Sequence, residues 1–235
     1  MIIEFCGLPG AGKSTLEAAV LAELGRRNRL VISREVLVQE LISAQNSVQR
    51  DAGSVRRRIS TGMYKAHLYK RALEVTGLSV LESRHSHVRR AAMRVAESVA
   101  LQTDFDHRRG IANLSEGLAQ HSLSLQVWRS LYGCASEQIQ QETQHNENVV
   151  VSLDLPAAIA ISRLEARGRP SFWPAQFSTE AIIKKYFEIK TQTDSAAVSA
   201  TTYVVDATVA ESEWPGIAAA VVEFVESRLP AEGTQ

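Results

Sequence analysis

The sequence has only two cysteines, Cys6 and Cys134, and none of its six histidines stands at metal-ligand spacing. A disulfide framework and a zinc cluster are both excluded as ways of holding it together. Long apolar runs are missing too: no stretch approaches the roughly 20 residues that cross a bilayer, and no basic start leads into an apolar segment. Net charge is zero, from 26 Lys and Arg against 26 Asp and Glu. No global field therefore draws the chain to nucleic acid or to an anionic membrane. These absences point to a cytoplasmic, soluble protein, and they count against nucleic acid and membranes as partners. What is present is 235 residues at 45% hydrophobic content, enough for one full core in one domain.

Five short β-type runs recur between helical stretches: Ile2 to Cys6, Arg29 to Ser33, Gly110 to Leu114, Asn148 to Leu153 and Thr202 to Asp206. Such alternation predicts an α/β fold, a five-stranded parallel sheet flanked by helices. Roughly 75 residues without a convincing strand separate the second and third runs. Three helical faces are expected there: Val36, Leu37, Leu41 and Ile42; Val55, Ile59, Met63, Ala66, Tyr69 and Leu73; Val88, Ala91, Ala92, Val95 and Val99. Leu78 to Leu81 reads as helix entry or loop. The expected organisation is one domain over 1–230, with a helical acceptor-side insertion at 34–105, a lid at 163–178 and a tail at 231–235. The apolar faces of the insertion also allow a homodimer.

The first strand runs straight into Gly7-x-x-x-x-Gly12-Lys13-Ser14, the phosphate-binding P-loop pattern. A loop of this length between strand and helix turns its backbone N–H groups around a phosphate, and the helix N-terminus favours the anion. Gly7, Pro9, Gly10, Ala11, Gly12, Lys13, Ser14 and Thr15 are the expected nucleotide-binding residues. Lys13 reaches the β and γ phosphates, and Ser14 places its hydroxyl on Mg²⁺, with Thr15 a weaker second choice. The expected cofactors are ATP and Mg²⁺. No Asn/Thr-Lys-x-Asp base-reading motif occurs, which speaks against a GTPase.

Phosphoryl transfer also needs a metal holder, cations for developing charge and a group that orients the acceptor. Glu116 follows the third strand and is a candidate for the metal shell or for proton acceptance. Its structural alternative is a helix-start glutamate behind an N-cap Ser115. Arg163 and Arg167, four apart on one helix face, and Arg169 past the breaker Gly168 form a candidate lid over the donor phosphates. The alternative is a set of cations offsetting a helix dipole. After the second strand, Glu35 is a candidate base and Arg34 a candidate anion binder, or the two form an exposed ion pair at a helix start. The insertion is basic, with Arg56, Arg57, Arg58, Arg84, His85, His87, Arg89, Arg90 and Arg94. Consecutive cations on a helix cannot all face one ligand. Trp173 within the lid either stacks on a base or packs the lid down.

Together these landmarks resemble the P-loop nucleoside and nucleotide kinase group, in the order of parts of thymidylate kinase. The resemblance rests on the N-terminal P-loop, the Arg34-Glu35 pair after the second strand, Ser115-Glu116-Gly117 after the third, and Arg163 with Arg167-Gly168 in the lid. Lys185-Tyr186-Phe187 and Tyr203-Val204-Val205-Asp206-Ala207 continue it. It implies a P-loop NTPase fold, a triphosphate donor, Mg²⁺ and an Arg-bearing lid. Val36-Leu37 stands where that family has Pro-Gly-Gly, and Ser115-Glu116-Gly117 where it has Asp-Arg-Tyr, so thymidylate as acceptor is not implied. The leading expectation is an ATP-dependent phosphotransferase acting on a nucleotide, nucleoside, sugar or other alcohol. The alternatives are an NTPase switch acting through a macromolecular partner and a nucleic-acid 5′-hydroxyl kinase.

Overall fold

The computed structural model describes residues 1–46, 55–79, 81–105, 110–134, 148–196 and 201–229. The side chains of Arg56, Arg57, Arg58, Ile59 and Met63, and the tail at 231–235, lie outside the described residues.

The most apolar strand, β1 (Ile2–Gly7), is buried at every position. A strand covered on both faces has no polar side to show, so it reads as a continuous apolar run. It is the centre of the sheet. Around it stand β2 (Val31–Ser33), β3 (Ile111–Asn113), β4 (Asn148–Asp154) and β5 (Thr202–Asp206), in the order β2-β3-β1-β4-β5 with every pairing parallel. The five-stranded parallel sheet expected from the sequence is present. Strand ends differ by one or two residues, because β2 and β3 pair over only three residues of their runs, the last three in β2 and the central three in β3.

Among the described residues eight α-helices flank the sheet: α1 (Lys13–Arg26), α2 (Arg34–Asn46), α3 (Val55–Thr76), α4 (Ser86–Asp104), α5 (Leu118–Leu131), α6 (Ala157–Arg167), α7 (Thr179–Ala196) and α8 (Trp214–Glu226). Alternation along β1 sends Ile3 and Phe5 into a large core shared with α1, α4, α5, α7 and α8. Ile2 goes into a smaller core with α2, α3, the C-terminal end of α4, Ile32 of β2 and Ala112 of β3. All five apolar positions expected on α4, Val88, Ala91, Ala92, Val95 and Val99, are buried. On α2, Leu37 and Leu41 are buried but Val36 is exposed, because α2 starts directly at Arg34 and its first turn overhangs the sheet edge.

In a parallel sheet every strand points the same way, so all carboxyl ends open on one side. The P-loop, Arg34, Ser115 and Asp154 thus share one end of the sheet, where open α/β folds hold ligands. Among the described residues no helix is long and apolar enough to cross a membrane.

Candidate active site

The loop between β1 and α1 turns sharply: Gly10 and Gly12 have φ of 86° and 89°, a region that side chains with a Cβ rarely adopt. Ala11 and Thr15 donate their amides to the carbonyls of Leu8 and Gly12. Among the described residues no acceptor is found for the amides of Gly12, Lys13 and Ser14. Free donors at a helix N-terminus make an anion seat. Lys13 folds back over the loop, its Nζ donating to Gly7 O at 3.1 Å and Leu8 O at 3.3 Å, and it lies 3.5 Å from Glu116 Oε1.

Gly7 N–H donates to Gln120 Oε1 at 2.9 Å, which ties the start of the loop to α5. From Gln120 the contacts continue to Ser124 and to the Tyr186 hydroxyl on α7. Burial of that tyrosine raises its pKa.

Glu116 is not a helix-start glutamate behind a serine cap. Helix α5 begins at Leu118, and Ser115 has φ 55°, in the left-handed region, so Ser115 is not the cap. Instead the buried carboxylate of Glu4 on β1 accepts the Ala119 amide at 2.9 Å and takes a further bond from Gln102 Nε2. Burial raises the Glu4 pKa against the lowering effect of those donors. The turn at Ser115 projects Glu116 toward Lys13. Ser115 is held by its own amide on Asn113 Oδ1, 3.0 Å, and by its hydroxyl on Glu17.

A cleft of about 760 Å³ opens above these groups, within the usual size of small-ligand sites. It brings together Pro9 to Ser14, Glu116, Glu35 and Arg167, all anticipated from the sequence. Gly7, Thr15, Arg163 and Arg169 are not among its lining residues. The Arg163 guanidinium donates to Gly10 O at 3.4 Å and Ala207 O at 3.0 Å, bracing the P-loop from α6. Arg169 donates to Pro174 O within the segment that follows α6. Trp173 of the same segment is buried in the core and also lines the cleft.

The other end of the cleft is basic. Arg34 pairs with Glu97 on α4 rather than with its neighbour Glu35, and Arg94 joins the same carboxylate at 3.1 Å. Tyr64 of α3 donates to Glu97 at 3.3 Å. Burial and that carboxylate raise the Tyr64 pKa. The Glu35 carboxylate is held below its usual range by its own backbone amide and the Ser33 hydroxyl, with Arg34 adding to them. His87 Nε2 meets Phe172 O, in the segment after α6, at 2.7 Å.

Glu17, Glu97, Gln120 and His121 were not legible as site residues. Only Glu17 left a trace, standing one turn past Ser14 on the same helix face. His121 is bonded to Ser98 Oγ at 2.8 Å. Burial, with Arg94 and Arg34 nearby, lowers its pKa from 6.5 to about 3. The unfolded chain binds this proton below pH 6.5 and the folded one does not, so stability is lost as pH falls through that window. One proton over 1.5 units is worth ~2 kcal/mol between pH 7 and pH 5. Urea unfolding should show this drop in the wild type, and the drop should shrink in His121→Gln; equal acid sensitivity in both proteins would refute it.

No protein-family model and no curated protein matches the sequence. Solved structures do. The chain is similar to deoxyadenosine kinase from M. mycoides with bound dATP, at 16% identity and a TM-score of 0.51, covering 95% of this chain and 100% of that one. The same enzyme with the products dCMP and dCDP gives 14% identity and a TM-score of 0.50, over 97% and 100%. The fold is that of a P-loop kinase. The likeness is one of architecture, in keeping with the landmark order that resembles thymidylate kinase. One cleft gathers the loop after β1, Glu116 past the end of β3 and Arg167 of α6.

Proposed function

We propose that this chain transfers the γ-phosphoryl group of ATP to a hydroxyl of a small acceptor. The observation that carries this reading is the single cleft joining Lys13 and Ser14 at one end to Glu35, Arg34 and Arg94 at the other. A donor at the first end and an acceptor at the second then share one cleft. Residues 34–105 then form the acceptor side, and 163–178 the lid, within one domain over 1–230. Lys13 and the loop amides hold the donor phosphates, and Arg167 faces the transferring group. Arg163 acts from behind, by fixing Gly10 and the loop. Glu35 or Glu116 orients the acceptor hydroxyl.

The Ser14 hydroxyl and the Glu116 carboxylate are hard oxygen donors beside the phosphate seat, a set that suits Mg²⁺, which is commonly held by one or two carboxylates together with substrate phosphates and water. Held there by Ser14 and Glu116, such an ion would offset the charge that develops on the phosphate oxygens.

The test is a metabolite screen with γ-labelled ATP. Label appearing in an organic acceptor is the expected result. Label released only as inorganic phosphate, with hydrolysis stimulated by a macromolecule, would overturn the kinase reading in favour of an NTPase switch. Steep loss of polynucleotide binding with salt would instead support a nucleic-acid substrate.

A further inference from the structure

In P-loop NTPases the metal is held by the loop Ser or Thr together with an aspartate of the neighbouring Walker B strand. Here β1 lies between β3, which ends in Asn113, a neutral amide, and β4, which ends in Asp154, an acid that is not among the residues lining the cleft. Asn113 is buried, and its Nδ2 donates to Glu17 Oε1 at 2.7 Å. The Ser115 hydroxyl donates to the same oxygen. Two donors from the end of β3 therefore draw a carboxylate from α1 to the place where the strand itself offers none. Both bonds fall on Oε1, and among the described residues no partner is found for Oε2. Glu17 lines the cleft with Ser14, three residues earlier on the same helix face. Glu116, the other acid near the loop, faces Lys13.

We propose that Glu17 supplies to the metal's water shell the strand-end carboxylate that β3 lacks. This rests on the reading of the loop as a triphosphate seat. A carboxylate beside a triphosphate repels it when no metal is present and stabilises it through the metal when one is. Glu17 therefore acts with opposite signs in the two conditions, a signature that damage to the fold cannot produce.

The experiment measures affinity for a non-hydrolysable ATP analogue by calorimetry, in EDTA and in excess Mg²⁺, for wild type and Glu17→Gln. The glutamine keeps an oxygen for Asn113 and Ser115. The variant should bind the analogue as well as wild type or more tightly in EDTA, and about tenfold more weakly with Mg²⁺, the scale seen when groups supporting a metal site are lost. Equal weakening in both conditions, or no Mg²⁺-specific loss, would overturn the proposal. So would recovery in Glu17→Gln/Ser115→Gly. Glycine accepts φ 55° unaided, and such a rescue would show that Glu17 only holds the turn. Wild type that binds no analogue in either condition would overturn the phosphate-seat reading itself.

Discussion

Lys13→Ala should lower turnover by about 10²- to 10³-fold, some 3–4 kcal/mol of transition-state stabilisation. The ammonium already sits among the groups it serves, bonded to Gly7 O and Leu8 O and facing Glu116. Charge on the transferring phosphoryl oxygens needs a fixed cation at that point, and a neutral methyl leaves them facing carbonyls and a carboxylate. The cost to stability is far smaller, about 1 kcal/mol for hydrogen bonds to carbonyls at a solvent-facing loop. Activity and urea unfolding measured on the same preparation separate the two effects. A loss below tenfold with the fold intact would refute the mechanism. Lys13→Met, which keeps the aliphatic stem, should lose as much as alanine if charge is what matters.

The second large effect is on the fold. At Gly117 a Cβ would lie 2.4 Å from Glu4 Cδ and 2.6 Å from Cγ and Oε2. Real Cβ atoms do not come so close, and Glu4 cannot swing away without releasing the Ala119 amide and Gln102. Gly117→Ala combines overpacking with a broken buried acceptor set, and a loss of about 3 kcal/mol is expected. For a chain of this length that lowers Tm by about 6–12 °C. Calorimetric or circular-dichroism melting checks it, and a fall under ~2 °C would show that Glu4 has another place to go. Backbone conformation is not the cause, since φ at Gly117 is −103°.

The same glycine shows how much of the site was legible. Ser115-Glu116-Gly117 stands where the resembling family has Asp-Arg-Tyr, and a helix start with a serine cap is the structural alternative that its sequence offers. The cap is in fact Glu4, more than a hundred residues earlier on another element. No local pattern announces a partner at that separation. Likewise an Arg34–Glu35 ion pair is one of the two readings the sequence leaves open, while the structure joins Arg34 to Glu97 of α4. Arg163 and Arg167 share one helix face, yet only Arg167 lines the cleft. Arg163 is captured by the carbonyls of Gly10 and Ala207, which the fold brings beside it.

Local spacing was enough for the P-loop, the five parallel strands, the buried stripe of α4 and the breaker at Gly168. Each is decided by neighbours a few residues away, through backbone dihedrals and the periods of strand and helix. The tertiary structure alone decided which charges meet: Glu17 with Asn113 and Ser115, Glu97 with two arginines, and His121 kept neutral by burial. Those pairings depend on how elements cross in space. Electrostatic and desolvation energies follow distance and burial, and neither is written in sequence order.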